Sequence, residues 1–204
     1  MIKVGIIVGS TRPGRHADAV ANWVLEKAKK RTDAQFEIVD IAEYKLPLLD
    51  EPIPPSQAQY SQPHTKAWAQ KVASYDAFIF VTPEYNHAPS AALKNAIDFV
   101  YAEWNNKAAG FVSYGASTSG GRAVEQLRQV MAELQVADVR AQVLLSLFTD
   151  FENFSVFKPN TVHETAMATM LDQVISWGTA LKMVRTQKFT PVSVEKEAVA
   201  KASS

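Results

Sequence analysis

The sequence predicts an α/β fold in which helices cover both faces of a parallel sheet. Three observations carry this. Ile2 to Val8 and Ala77 to Val81 are almost unbroken runs of β-branched and other apolar residues, the pattern of strands buried on both faces. Such runs alternate with stretches whose apolar residues return at helical spacing, as in successive βαβ units. The segments richest in glycine, proline and hydroxyl residues follow strands rather than helices.

Taken in order, Ile2 to Val8 is the first strand. Ala17, Val20, Ala21, Val24, Leu25 and Ala28 then fall on one face of a helix. That helix runs out in Lys27, Lys29, Lys30 and Arg31, as its C-terminal dipole favours. Phe36 to Ile41 reads as a second strand, and its partial alternation puts it near a sheet edge. Residues 44–63 hold five of the ten prolines. They read as a long surface loop, neither helix nor central strand, suited to walling an active site or meeting a partner.

His64 to Tyr75 is a short helix, Ala77 to Val81 a third strand, and Ser90 to about Tyr101 a helix with Leu93, Ala96, Ile97 and Val100 inward. Ala108 to Tyr114 is a fourth strand, Arg122 opens the next helix, and Val139 to Leu145 is a fifth strand. Phe148, Phe151, Phe154 and Phe157 come next and read as a buried aromatic cluster. Thr161 and Glu164 fit a capping box ahead of a last helical stripe through Met167, Met170, Leu171, Val174, Gly178 and Leu181. Residues 1–185 make one domain, and 186–204 read as a loosely ordered tail. Five strands and five helices match the flavodoxin-like three-layer order 2-1-3-4-5. Ligands in such sheets bind at the carboxyl ends of the strands, at the switch point between strands 1 and 3.

Composition narrows the chemistry. Lys plus Arg equals Asp plus Glu at 21 each among 204 residues, so no global field draws nucleic acid or a membrane surface. There is no cysteine, which excludes disulfides, thiol nucleophiles and thiolate metal sites. Redox chemistry would therefore fall to a bound cofactor. His16, His64, His87 and His163 are scattered, and no metal site is expected. No apolar run approaches the roughly 20 residues of a membrane span. The chain opens on a strand with no signal peptide ahead of it, so a cytoplasmic location is expected.

Three strand-end loops carry the candidate site. The loop after strand 1 offers Ser10, Thr11, Arg12 and Arg15 beside the amides that open a helix, a combination suited to a phosphate. It lacks both the Walker lysine and the GxGxxG fingerprint, which favours a single terminal phosphate over a pyrophosphate. Asp40, at the end of strand 2, is taken as a solvated strand end. The loop after strand 3, Pro83-Glu84-Tyr85-Asn86, offers an aromatic face and an amide to a flat heterocycle. The loop after strand 4 holds Gly115, Ser117, Gly120 and Gly121, whose backbone can come close to a ligand. Each loop alone also fits an ordinary solvated turn. Their coincidence on one sheet edge favours one ligand.

Val8-Gly9-Ser10-Thr11-Arg12, the pairing of Pro83-Glu84-Tyr85-Asn86 with Leu93-Lys94-Asn95-Ala96-Ile97-Asp98, and the Gly120-Gly121 loop together resemble the NADPH-dependent FMN reductase family. That family includes quinone, azo-dye and chromate reductases. The resemblance implies an FMN with its phosphate in the Ser10, Thr11, Arg12 loop and its ring between the 83–86 and 115–121 loops. Many members follow the arginine with a Ser-x-Asn. Here Arg15 and Ala17 stand in those places, and Arg15 is expected to contact either the flavin phosphate or NADPH. The implied activity passes a hydride from NADPH or NADH to flavin N5 and then to a quinone, free flavin, azo compound or metal oxyanion, with no side chain as acid or base. A homodimer or homotetramer is expected, one subunit walling its partner's flavin. The alternatives are a flavodoxin-like electron carrier and a flavin-binding regulatory module.

Overall fold

A computed structural model describes residues 1–187; of the expected tail, 186–204, Thr186 closes the last helix and 188 onward lies outside the described residues. Five strands form one parallel sheet: β1 Ile2–Val8, β2 Ala34–Asp40, β3 Ala77–Pro83, β4 Lys107–Gly115 and β5 Val136–Ser146. Their order is β2-β1-β3-β4-β5, so the chain reverses direction across the sheet between β1 and β3. β2 is an edge strand, as its alternation suggests. β3 and β4 are buried along their whole length, because helices close both faces.

The two faces have separate cores. On one, α1 (Ala17–Ala28) and α5 (His163–Thr186) cover Val4, Ile6, Val8, Ile79, Val81 and Val112. On the other, α2 (Pro63–Ala73), α3 (Ala91–Asp98) and α4 (Gly121–Glu133) cover Ile7, Phe78, Phe80 and Phe111. Trp68 and Trp104 are fully buried there, and their indole N–H groups donate to the Ala96 and Ile97 carbonyls at 2.7 and 3.1 Å. Buried indoles are retained where the N–H finds such a partner.

Four local expectations change. The third helix ends at Asp98 rather than near Tyr101, and turns then carry Trp104 back beneath it. The proline-rich segment is not loop throughout. Pro55–Gln57 forms a 3-10 turn, and Pro63 is the first residue of α2, where a missing N–H costs nothing. No capping box opens α5. The Glu164 amide bonds the Thr161 carbonyl at 3.0 Å, and the Glu164 carboxylate pairs with Lys27 instead. The aromatic segment after β5 is only partly buried. Phe151 and Phe157 belong to a short antiparallel hairpin, β6 Phe151–Glu152 and β7 Val156–Phe157, whereas Phe148 and Phe154 are exposed and meet edge to face at 5.7 Å. Asp150 anchors this segment, accepting from the Ser146 and Asn160 amides at 2.8 and 2.9 Å and lying 2.9 Å from the His163 ring nitrogen.

Candidate flavin site at the carboxyl edge of the sheet

β1 delivers the chain to its loop at a tight crossing. The Gly9 amide donates to the Val81 carbonyl at 2.8 Å. A Cβ at Gly9 would lie 2.6 Å from that carbonyl oxygen and 2.9 Å from Leu93, so only glycine fits. The Ser90 hydroxyl caps α3, accepting from the Leu93 amide at 3.0 Å while donating to the Gly9 carbonyl at 2.6 Å. One serine thus locks the start of α3 against the end of β1.

Ser10 is fully buried and its hydroxyl lies 3.2 Å from the Tyr85 hydroxyl, joining the first loop to the one after β3. Thr11 and Arg12 are exposed, and Thr11 borders a cavity of about 420 Å³ with Ile41, Ala42, Lys45 and Asn95. Arg15 is placed differently from Arg12. Its guanidinium donates to both Asp40 oxygens, to Asp18 and to the Ser10 carbonyl. The bond to Asp40 outweighs burial and raises the Arg15 pKa, so the guanidinium stays charged. Asp40 is therefore not a solvated strand end. Its Oδ1 takes 2.9 Å bonds from Arg15 and from the Ala42 amide, and the pair braces the loop from beneath.

The loops after β3 and β4 are joined by Glu84. Its carboxylate accepts from the Thr118 hydroxyl at 2.8 Å, the Arg122 amide at 3.1 Å and Arg122 Nε at 2.6 Å. Burial pushes the Glu84 carboxyl up, but these donors outweigh it and hold it below its ordinary value. Arg122 also meets His87 Nε2 at 2.7 Å and the Ser117 hydroxyl at 3.4 Å. Tyr85 closes a turn, exchanging backbone bonds with Ala88 at 2.8 and 3.0 Å, and Asn86 and His87 at its tip take positive φ. Gly120 has φ 85°, and a Cβ there would lie 2.6 Å from that of Ser113. Ser113 holds this corner by donating to the Ser119 carbonyl at 2.9 Å.

The three loops are thus one bonded edge: Ser10 to Tyr85, and Glu84 to Thr118 and Arg122. Ser10, Pro83, Glu84, Tyr85, Ser117, Gly120 and Gly121 come together there, with Thr11, Arg12 and Asn86 exposed around them. A cavity of about 730 Å³ lies elsewhere, between α3, α4 and the Pro55 turn. Sequence reading missed Arg122, Tyr114 and His16. Arg122 directly follows the two glycines and is the first side chain of α4 able to reach back. Tyr114, the last but one residue of β4, continues the inward stripe of Ala108 and Val112. His16 opens α1, with its ring 6.3 Å from Tyr114 and 5.0 Å from Phe151.

The chain belongs to the NADPH-dependent FMN reductase family, whose profile matches residues 2–150. It is 41% identical over 150 residues to an NAD(P)H-dependent FMN reductase of Schizosaccharomyces pombe, covering 72% of this chain and 74% of that one. An NAD(P)H:quinone oxidoreductase of Solanum tuberosum is 35% identical over 134 residues, covering 64% of this chain and 67% of that one. Among solved structures, the flavoenzyme NAD(P)H:(acceptor) oxidoreductase of Paracoccus denitrificans superposes with a TM-score of 0.67 at 17% identity, covering 88% of this chain and 98% of that one. That last likeness bears on the fold alone.

Proposed function

We propose that this protein is an FMN-dependent NAD(P)H oxidoreductase that reduces small flat acceptors of the quinone, free flavin, azo or metal-oxyanion class. The observation that carries the reading is the bonded edge of three loops at the switch point of a family-member sheet. The edge also suits FMN by its chemistry. It gathers a buried serine, an arginine left exposed beside a helix start, an aromatic hydroxyl, and a tight glycine corner.

In this reading Ser10, Thr11 and Arg12 hold the phosphate. Pro83, Glu84, Tyr85 and Asn86 line one side of the ring, and Ser117, Gly120 and Gly121 the other. Arg15 contributes indirectly. Committed to Asp40 and Asp18, it fixes the Ser10 carbonyl and the shape of the loop. Bound FMN supplies the hydride-accepting and electron-donating chemistry that the side chains lack. The protein's part is to bind and orient: glycine backbone approaches the ring, and Glu84 keeps the two ring loops at fixed separation. The cytoplasm, where reduced dinucleotide is at hand, is the expected place of action.

A homo-oligomer belongs to the same reading. The exposed Phe148–Phe154 pair and Leu48 in the proline segment, 84% exposed, are apolar surface that a second subunit would cover. Sedimentation as a monomer at micromolar concentration would remove this part. The whole reading is tested by saturating the purified protein with FMN, desalting it and measuring bound flavin. A yellow protein that sustains NADPH turnover when an acceptor is supplied, and stops after one equivalent anaerobically without one, supports it, and a colourless one overturns it. Reduction by NADPH without turnover on any acceptor would favour an electron carrier.

A further inference from the structure

The Tyr114 hydroxyl is buried and has no hydrogen-bond partner among the described residues. An unpaired buried hydroxyl is expensive, and each native instance calls for a physical reason. Its position supplies one. In register, Val8 of β1 lies beside Val81 and Tyr114 of β4 lies beside Pro83. Ser10 lies two residues past Val8 and Pro83 two past Val81, so Tyr114, next to the end of β4, is about level with Ser10 just beyond the end of β1. Both follow inward stripes on the face covered by α1: Val4, Ile6 and Val8 of β1 lead to Ser10 in the loop beyond it, and Ala108 and Val112 lead to Tyr114 on β4. The Tyr114 ring meets His16, the residue that opens α1. The orphan hydroxyl therefore sits beneath the helix start whose amides lack intrahelical partners.

We propose that Tyr114 is a phosphate ligand of this site, its hydroxyl donating to the terminal phosphate of the bound flavin mononucleotide. The inference rests on the FMN reading above and adds a residue to it. Burial pushes the Tyr114 phenol up, so it keeps its proton and acts only as a donor toward an anion. The oxygen is closed off in the free protein, so the side chains over it give way as the phosphate arrives and satisfies it. The same geometry explains why a polar atom is kept at a place where phenylalanine would pack equally well.

The test is Tyr114→Phe, which removes one oxygen and leaves the ring. Apoprotein of wild type and variant is titrated with FMN and, separately, with riboflavin, which lacks the phosphate. The expected result is a loss of FMN affinity of roughly 10- to 100-fold with riboflavin affinity unchanged. The variant apoprotein should melt at the same temperature as wild type or higher, since an unpaired buried group has gone. Inorganic phosphate alone should raise the melting temperature of wild-type apoprotein more than that of the variant. Unchanged FMN affinity, equal losses for FMN and riboflavin, or equal phosphate protection overturns the proposal. A wild type that binds neither flavin overturns the FMN reading itself, and the proposal with it.

Discussion

The Glu84 carboxylate accepts from both the backbone amide of Arg122, at 3.1 Å, and its side-chain Nε, at 2.6 Å. One acid at the end of β3 thus fixes the first turn of α4 and, through Thr118, the loop before it. Arg122→Met breaks the side-chain half of this bridge and leaves a nearly buried carboxylate short of a donor. We expect FMN affinity to fall by about 1.5–3 kcal/mol by fluorescence titration, although Arg122 is not among the residues assigned to the flavin. Unchanged affinity would show that the loops keep their separation without it.

The same bridge sets an acid limit. The Glu84 carboxyl is held below its unfolded value of 4.5. A carboxylate depressed in the folded state contributes stability that is present above 4.5 and lost as pH falls through the folded value. Thermal melts from pH 6 down to about pH 3 should therefore show a decline in wild type that is shallower in Glu84→Gln. Parallel curves would mean that Glu84 titrates alike in both states.

The two loop arginines should part in their effects. Arg12→Ala removes an exposed guanidinium and should weaken FMN binding by about 1.5–3 kcal/mol with little change in melting temperature. Arg15→Ala strips Asp40 and the Ser10 carbonyl of a shared donor. It should lower stability by about 1–3 kcal/mol and weaken FMN mainly through a loosened loop. Paired chemical denaturation and flavin titration separate the two. Equal losses of affinity with no loss of stability in Arg15→Ala would return Arg15 to the phosphate.

Far from the site, Lys107 begins β4 nearly buried, with Nζ donating to the Val72 carbonyl at 2.7 Å, at the end of α2. Burial first, and then the Arg185 charge, push it down from 10.5 to about 7. Between those values the unfolded chain holds a proton that the folded one lacks, so folding stability rises with pH across that window. The difference in unfolding free energy between wild type and Lys107→Met should change through that window and be flat on either side. A flat difference throughout would contradict this.

Strand order and the inward faces were legible because burial on both sides of a parallel sheet leaves continuous apolar runs and clean helical stripes. Features decided by distant partners were not legible, even where the local pattern obeys a rule. Thr161 and Glu164 have capping-box spacing, but Lys27 lies within reach of the Glu164 carboxylate and claims it. Asp40 looks solvated until the fold brings Arg15 beside it. The four phenylalanines after β5 split between core and surface, because Phe151 and Phe157 lie on the short hairpin strands while Phe148, in the turn before them, and Phe154, in the turn between them, point outward. The strand-end loops could be placed on one edge from the sequence. The bonds that join them, Ser10 to Tyr85 and Glu84 to Arg122, span 75 and 38 residues and leave no local mark.

Everything proposed for the site depends on this edge holding a flavin poised to receive electrons from a reduced dinucleotide. Anaerobic stopped-flow mixing of the FMN-loaded protein with NADPH is the shortest route to that question. We expect rapid bleaching of the bound flavin's visible absorbance, with its return when a quinone is added. Flavin that stays oxidised in the presence of excess NADPH would refute the assignment.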